Sequence, residues 1–187
     1  LPPGRTPVVT KVFVESRRAS VYQLVRQEAR SGRQAYLICP LVEESAKTDL
    51  KAASQMAVHL GQEVFPDLRV GLLHGRLKPE EKESVMCSFK NRELDILVAT
   101  TVIEVGIDVP NAMVMVIEHA ERFGLSQLHQ LRGRVGRGER PAEVLLFADP
   151  KTADGRARME AIVSTNDGFE LAEHDLRAVA AGRHFTG

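Results

Sequence analysis

The 187-residue sequence predicts an α/β domain: a parallel β-sheet with helices on both faces. Three observations predict it. Short β-branched or apolar runs alternate with stretches of helical spacing along most of the chain. Two of the runs, AYLIC (Ala35–Cys39) and MVMVI (Met113–Ile117), are apolar without a break, as strands covered on both faces are. Strand–helix–strand order, finally, implies the crossover connections that join parallel strands.

The elements follow in order. Val8–Val14, VVTKVFV, is β-branched and reads as a strand. Ser20–Arg30 places Val21, Leu24, Val25 and Ala29 at helical spacing, and Gly32 stops it. Ala35–Cys39 is a buried strand closed by Pro40. Lys47–Leu60 is a helix with Leu50, Ala53, Met56, Ala57 and Leu60 on one side. Arg69–Leu73 is a strand. Pro79 suits a first helical turn, Glu80 and Glu81 suit that end of the dipole, and Val85, Met86 and Phe89 form the inner face. Ile96–Ala99, Met113–Ile117 and Val144–Phe147 are further strands. Gly155–Ser164 and Phe169–Ala181 read as helical pieces of a small C-terminal appendage over residues 151–187. The main domain then covers residues 8–150, and residues 1–7, with Pro2, Pro3 and Pro7, form a linker.

The apolar fraction of 43% is enough for a core, and 25 basic residues balance 25 acidic ones, so a nucleic-acid site has to be a local patch. Cys39 and Cys87 are too few for a disulfide framework, which fits a cytoplasmic setting. No apolar run approaches the ~20 residues that span a bilayer. His119 and His129 have no ligand-like spacing to a cysteine or acid, so no metal site is expected. Tryptophan is absent, so no stacking platform for single strands is advertised.

The most distinctive stretch is Gln127–Arg140, QLHQLRGRVGRGER, with four arginines against a single acid, Glu139. Guanidinium groups stay charged and match phosphate oxygens with a planar fork. Gly133, Gly136 and Gly138 interleave with Arg134 and Arg137 and permit close backbone approach. Leu125, Leu128 and Leu131 can anchor the stretch below. A solvated basic loop is the plainer reading, but interleaved glycines gain nothing there. No GxxxxGK[ST] phosphate loop occurs, so Arg134 and Arg137 are expected to complete a site whose other half lies elsewhere, stabilising charge on a transferred phosphoryl group.

In parallel sheets ligands gather at the carboxyl ends of strands, and the loops after Cys39, Leu73, Ala99 and Ile117 begin there. Thr100 and Thr101 can bond a phosphate or simply cap a helix. Asp108, near Gly106, can accept from a ribose hydroxyl or end a turn before Pro110. Gly75 permits approach of a nucleic-acid backbone, Arg76 or Lys78 can neutralise a phosphate, and His74 reads as structural. Ser45 is a weaker nucleic-acid candidate.

GLLHGRLKPEEKESVM, DILVATTVIEVGIDVPNA and ERFGLSQLHQLRGRVGRG resemble motifs IVa, V and VI of a superfamily 2 helicase. Among these the sequence is most similar to the bacterial branch-migration translocases, and shares much with transcription-repair coupling factors. The resemblance implies the second RecA-like motor domain of an ATP-dependent DNA helicase of the P-loop NTPase type. Such an enzyme remodels stalled forks and four-way junctions in repair and recombination. ATP and Mg2+ would be bound mainly by a first motor domain, and that domain and a wedge domain would be partners alongside branched duplex DNA. A non-catalytic nucleic-acid-binding module is the alternative of another class.

By the same resemblance, Arg134 and Arg137 sit at the γ-phosphate, with Gln130 and Gly133 shaping their loop. Gly106 and Asp108 link nucleotide and DNA sites. Thr100 and Gly75 hold the DNA backbone, beside the phosphate candidates Thr101 and Arg76 read from the residues themselves. A translocation motif would begin near Arg156 and include Thr165–Arg177. Where the family continues LRGPG, this sequence reads LRAVAAGRHFTG, so the end of that loop is expected to be altered or absent.

Overall fold

The computed structural model describes residues 8–41, 46–100, 109–136 and 141–164. Six strands form one sheet: β1 (Val9–Phe13), β2 (Gln34–Cys39), β3 (Val70–Leu73), β4 (Ile96–Thr100), β5 (Ala112–Ile117) and β6 (Glu143–Phe147). Their order is β1-β6-β5-β2-β4-β3, and all five pairings are parallel. Among the described residues five α-helices cover it: α1 (Arg18–Arg30), α2 (Ala46–His59), α3 (Pro79–Lys90), α4 (Leu125–Arg132) and α5 (Ala153–Ser164).

Every residue of β2, β4 and β5 is buried. Side chains alternate across a strand, so the two faces feed separate cores. Leu37, Val98 and Val116 meet Val21 and Val25 of α1 and Ala53 of α2. Tyr36, Ile38, Leu97 and Met115 meet Phe89 of α3, Leu128 of α4 and Ile162 of α5. The uninterrupted apolar runs are therefore the signature of a sheet sandwiched between helices, as expected. The first helix beyond the last strand, α5, buries Met159 and Ile162 in the second of these cores.

Helix ends follow local chemistry. Gly32 closes α1 at φ 86°, a left-handed value that glycine adopts at low cost, and its N–H reaches the Ala29 carbonyl at 3.0 Å. Pro79 opens α3, and the Glu81 carboxylate accepts the Lys78 N–H at 3.2 Å. Two elements depart from the sequence reading. The second helix does not stop at Leu60; it widens into a π-helical turn over Leu60–Val64, which seats Leu60 and Phe65 in the core. The stretch after Ile117 contains a helix, α4, rather than only an anchored loop. The expected helix at Phe169–Ala181, the linker 1–7 and the translocation-motif residues Thr165–Arg177 lie outside the described residues.

Candidate nucleotide and nucleic-acid interface

The carboxyl ends of the central strands bring several anticipated residues together. Cys39 of β2 pairs in register with Thr100 of β4, and Leu73 of β3 pairs with Ala99. Thr100 and the turn His74–Arg76 therefore leave adjacent strands side by side. Thr100 is 2% exposed, and its hydroxyl has no hydrogen-bond partner among the described residues. A buried hydroxyl without a partner is costly unless something reaches it. Gly75 and Arg76 are exposed at the tip of their turn. The Arg76 N–H donates to His74 Nδ1 at 3.1 Å, and the Leu77 N–H closes onto the His74 carbonyl at 3.4 Å. Burial pushes the His74 pKa down. Nearby, the Cys39 thiol is pushed up to about 12 by burial and by the Glu118 carboxylate, so it is an inert core group.

A charged clasp stands at the same edge of the sheet. Arg18, at the start of α1, donates from both terminal nitrogens to Glu118, which follows β5, with Nη2 to Oε2 at 2.8 Å. It also reaches Glu15 at 2.8 Å and lies 4.0 Å over the Phe147 ring. Burial works against the Arg18 charge, but hydrogen bonds to Glu118 and Glu15 outweigh it and the pKa rises. The clasp ties α1 to β5 and leaves no spare donor for a phosphate, so it is a brace.

The arginine stretch has a different geometry. The Gln127 side chain accepts the Gly124 N–H at 3.0 Å and starts α4 at the carboxyl edge. Leu125, Leu128 and Leu131 are buried, as expected, while Gln130 is exposed. Helix α4 runs back and ends on Gly133, whose N–H contacts the His129 and Gln130 carbonyls at 3.2 Å. The Arg134 N–H then reaches the Leu131 carbonyl at 2.9 Å, and the Gly136 N–H reaches the Ala112 carbonyl at 3.1 Å. Ala112 opens β5, so the loop Gly133–Gly136 is moored at the amino end of the sheet. Thr100 and Gly75 thus lie at one end of the strands and Arg134 toward the other, whereas the carboxyl-end rule had pointed to one edge. The guanidinium carrier is displaced by one helix of eight residues, ~12 Å long.

Gly136 is required twice over. Its φ is 69°, and a Cβ there would stand 2.4 Å from Ala142 Cβ. Arg134 is partly buried and pairs with no described carboxylate. A fixed backbone beneath a guanidinium with no described counter-charge suits an anion supplied from outside the lobe.

Two buried arginines escaped the sequence reading. Arg132, 5% exposed, donates to the Ile162 carbonyl at 2.8 Å near the end of α5, where a cation meets the negative pole of the helix. Burial lowers its pKa. Arg158, 6% exposed, donates to the Phe123 carbonyl at 2.9 Å and the Glu121 carbonyl at 3.2 Å. Together they pin α5 to both ends of α4. Their signal was positional: Arg132 lies four residues after Leu128, and Arg158 four before Ile162, on otherwise apolar faces. Arg158→Met, which keeps the stem but strands two carbonyls, is expected to destabilise the domain by about 1.5–3 kcal/mol. A urea midpoint unchanged from wild type contradicts this role.

Arg137, Thr101, Gly106, Asp108 and Ser45 lie outside the described residues. Among the described residues no group of three or more His, Cys, Asp or Glu side chains is placed to hold a metal ion, and no described helix is long and apolar enough to cross a membrane.

The six-stranded parallel sheet with helices on both faces is the RecA-like fold of a helicase C-terminal domain. The chain belongs to the helicase conserved C-terminal domain family, whose model matches residues 16–139. It is similar to the ATP-dependent DNA helicase RecG of Synechocystis sp., with 52% identity over 182 residues, 97% of this chain and 22% of that protein. Against RecG of Thermotoga maritima the identity is 50% over 185 residues, 99% of this chain and 24% of that protein. The chain thus spans about a quarter of the length of these relatives. It superimposes on a structure of RecG bound to a three-way DNA junction with a TM-score of 0.81 and 46% identity, covering 100% of this chain and 24% of that one. Domain 2 of the DEAD-box helicase Mss116p bound to an RNA duplex shares the fold, with a TM-score of 0.63 at 22% identity, covering 91% of this chain and 68% of that one.

Proposed function

We propose that this chain is the second motor lobe of a RecG-type ATP-dependent DNA helicase acting on forks and four-way junctions in repair and recombination. The observation that carries the reading is the Arg134 loop. It is a glycine-moored backbone holding a guanidinium that pairs with no described carboxylate, at the opposite end of the strands from the hydroxyl and glycine turns. That separation suits a lobe that meets nucleotide on one side and DNA on another. The similarity to RecG sequences supports it.

ATP, with Mg2+, would be gripped by another motor lobe carrying the phosphate loop. Arg134 and Arg137 would bring positive charge to the γ-phosphoryl group as negative charge develops on its oxygens. Gln130 and Gly133 would hold the loop in place. Gly106 and Asp108 would connect the nucleotide to the DNA contacts. Thr100, Thr101, Gly75 and Arg76 would track the backbone of branched duplex DNA, with a wedge domain of the same protein splitting the junction. Residues 151–187 would couple turnover to movement.

Two measurements test this. The 187 residues alone are expected to turn over no ATP with junction DNA present, and mixing with a lobe that carries GxxxxGK[ST] is expected to restore turnover. Failure to restore it, with both parts folded, contradicts the reading. Arg76→Ala is expected to reduce the slope of log affinity against log salt by about one phosphate contact. An unchanged slope removes Arg76 from the interface.

A further inference from the structure

We propose that His74 is a positioning residue, whose ring nitrogen closes the turn that presents Gly75 and Arg76 to the nucleic-acid backbone; this rests on the reading of that turn as a DNA contact. An amide N–H can only donate, so the ring nitrogen 3.1 Å from the Arg76 nitrogen must be unprotonated. That fixes the tautomer: Nδ1 accepts, and the proton of the neutral ring sits on Nε2. The bond is one of a set that frames the tip. The Leu77 N–H closes onto the His74 carbonyl, Leu77 packs on the core, and Glu81 receives the Lys78 N–H where α3 begins. Strand β3 fixes one end of the turn through Leu73, in register with Ala99, and α3 fixes the other. Gly75 and Arg76 stand exposed at the tip between these supports, with Lys78 exposed just before α3, and His74 is the side chain that holds the tip from within.

The consequence has an unusual sign. A histidine beside a phosphate ordinarily strengthens binding when it gains a proton, because charge is added. Here the proton would go onto the accepting nitrogen and set one N–H against another, so the turn opens. The groups around the ring are Glu81 and Lys82 from α3 and Arg76 from the turn; Glu81 favours the charged ring, while burial, Lys82 and Arg76 oppose it. The net pKa is lowered, so the contribution of His74 is complete above the ordinary histidine value and is lost as pH falls through the depressed one.

The test uses the protein that carries both motor lobes, a labelled three-way junction and constant ionic strength. His74→Asn places an amide oxygen near the position of Nδ1 without titrating, and His74→Gln places it further out. At pH 8 the Asn variant is expected to bind the junction like wild type and the Gln variant about fivefold more weakly, the worth of one ordinary hydrogen bond. On acidification to pH 5 wild type is expected to weaken relative to the Asn variant by a similar factor. Equal affinities for Asn and Gln, or wild type tightening relative to Asn at low pH, overturns the proposal. The imidazole 15N shifts, read without DNA, are expected to show bare Nδ1 and protonated Nε2; the opposite tautomer overturns it independently. Arg76→Ala separates the two levels. If it leaves junction binding untouched, the reading of the turn as a DNA contact fails, whatever the tautomer.

Discussion

Replacing Arg137 by alanine in a protein that carries both motor lobes is expected to cut junction-stimulated ATP turnover on the order of a hundredfold or more. Junction affinity measured without nucleotide should hardly change. The split follows from where the loop is moored. Gly136 bonds to Ala112 at the start of β5, while Thr100 and the His74–Arg76 turn leave the opposite strand ends. On the proposed reading, losing a guanidinium of this loop would remove charge stabilisation from the phosphoryl group and leave the proposed DNA contacts intact. Arg134→Ala is expected to behave alike. Lysine at either position should recover only part of the rate, since it keeps the charge but not the planar fork. Turnover that survives both alanine changes contradicts the phosphate role.

Gly136→Ala carries the largest expected cost to the fold. A left-handed φ of 69° costs an L-residue roughly 1–2 kcal/mol. The new methyl would also stand 2.4 Å from Ala142 Cβ, an overlap worth about 1–3 kcal/mol. Together these approach half of the ~5–15 kcal/mol that holds a typical domain folded. Adding Ala142→Gly should relieve the overlap but not the backbone strain. Urea denaturation of the four-member cycle is therefore expected to show a coupling of about 1–3 kcal/mol. A coupling near zero contradicts the close approach.

The sheet was legible because its central strands β2, β4 and β5 are buried on both faces. AYLIC and MVMVI leave little else for such runs to be. The order β1-β6-β5-β2-β4-β3 was not legible, since the covered central strands carry no mark of which neighbour they take. Helix α4 was obscured by its ending. Gly133, Gly136 and the arginines read as a loop, although Leu125, Leu128 and Leu131 already held the helical period. Candidate site residues could be picked by type but not placed. Phosphate chemistry marked Arg134 and close approach marked Gly75, but that one belongs near the amino ends of the strands and the other at their carboxyl ends depended on the length of α4. The buried arginines Arg132 and Arg158 were missed because a charge is expected at the surface; each is interior because backbone carbonyls at the end of a helix or turn receive it.

The central claim is that this lobe offers guanidinium groups to a phosphate gripped elsewhere. It is tested most directly by a crystal structure of the two-lobe protein with ADP, a γ-phosphate mimic and junction DNA. The account predicts guanidinium nitrogens of Arg134 and Arg137 about 2.7–3.2 Å from the mimic. Both side chains turned into the lobe and bound to its own carboxylates, with the mimic held by the other lobe alone, would contradict it.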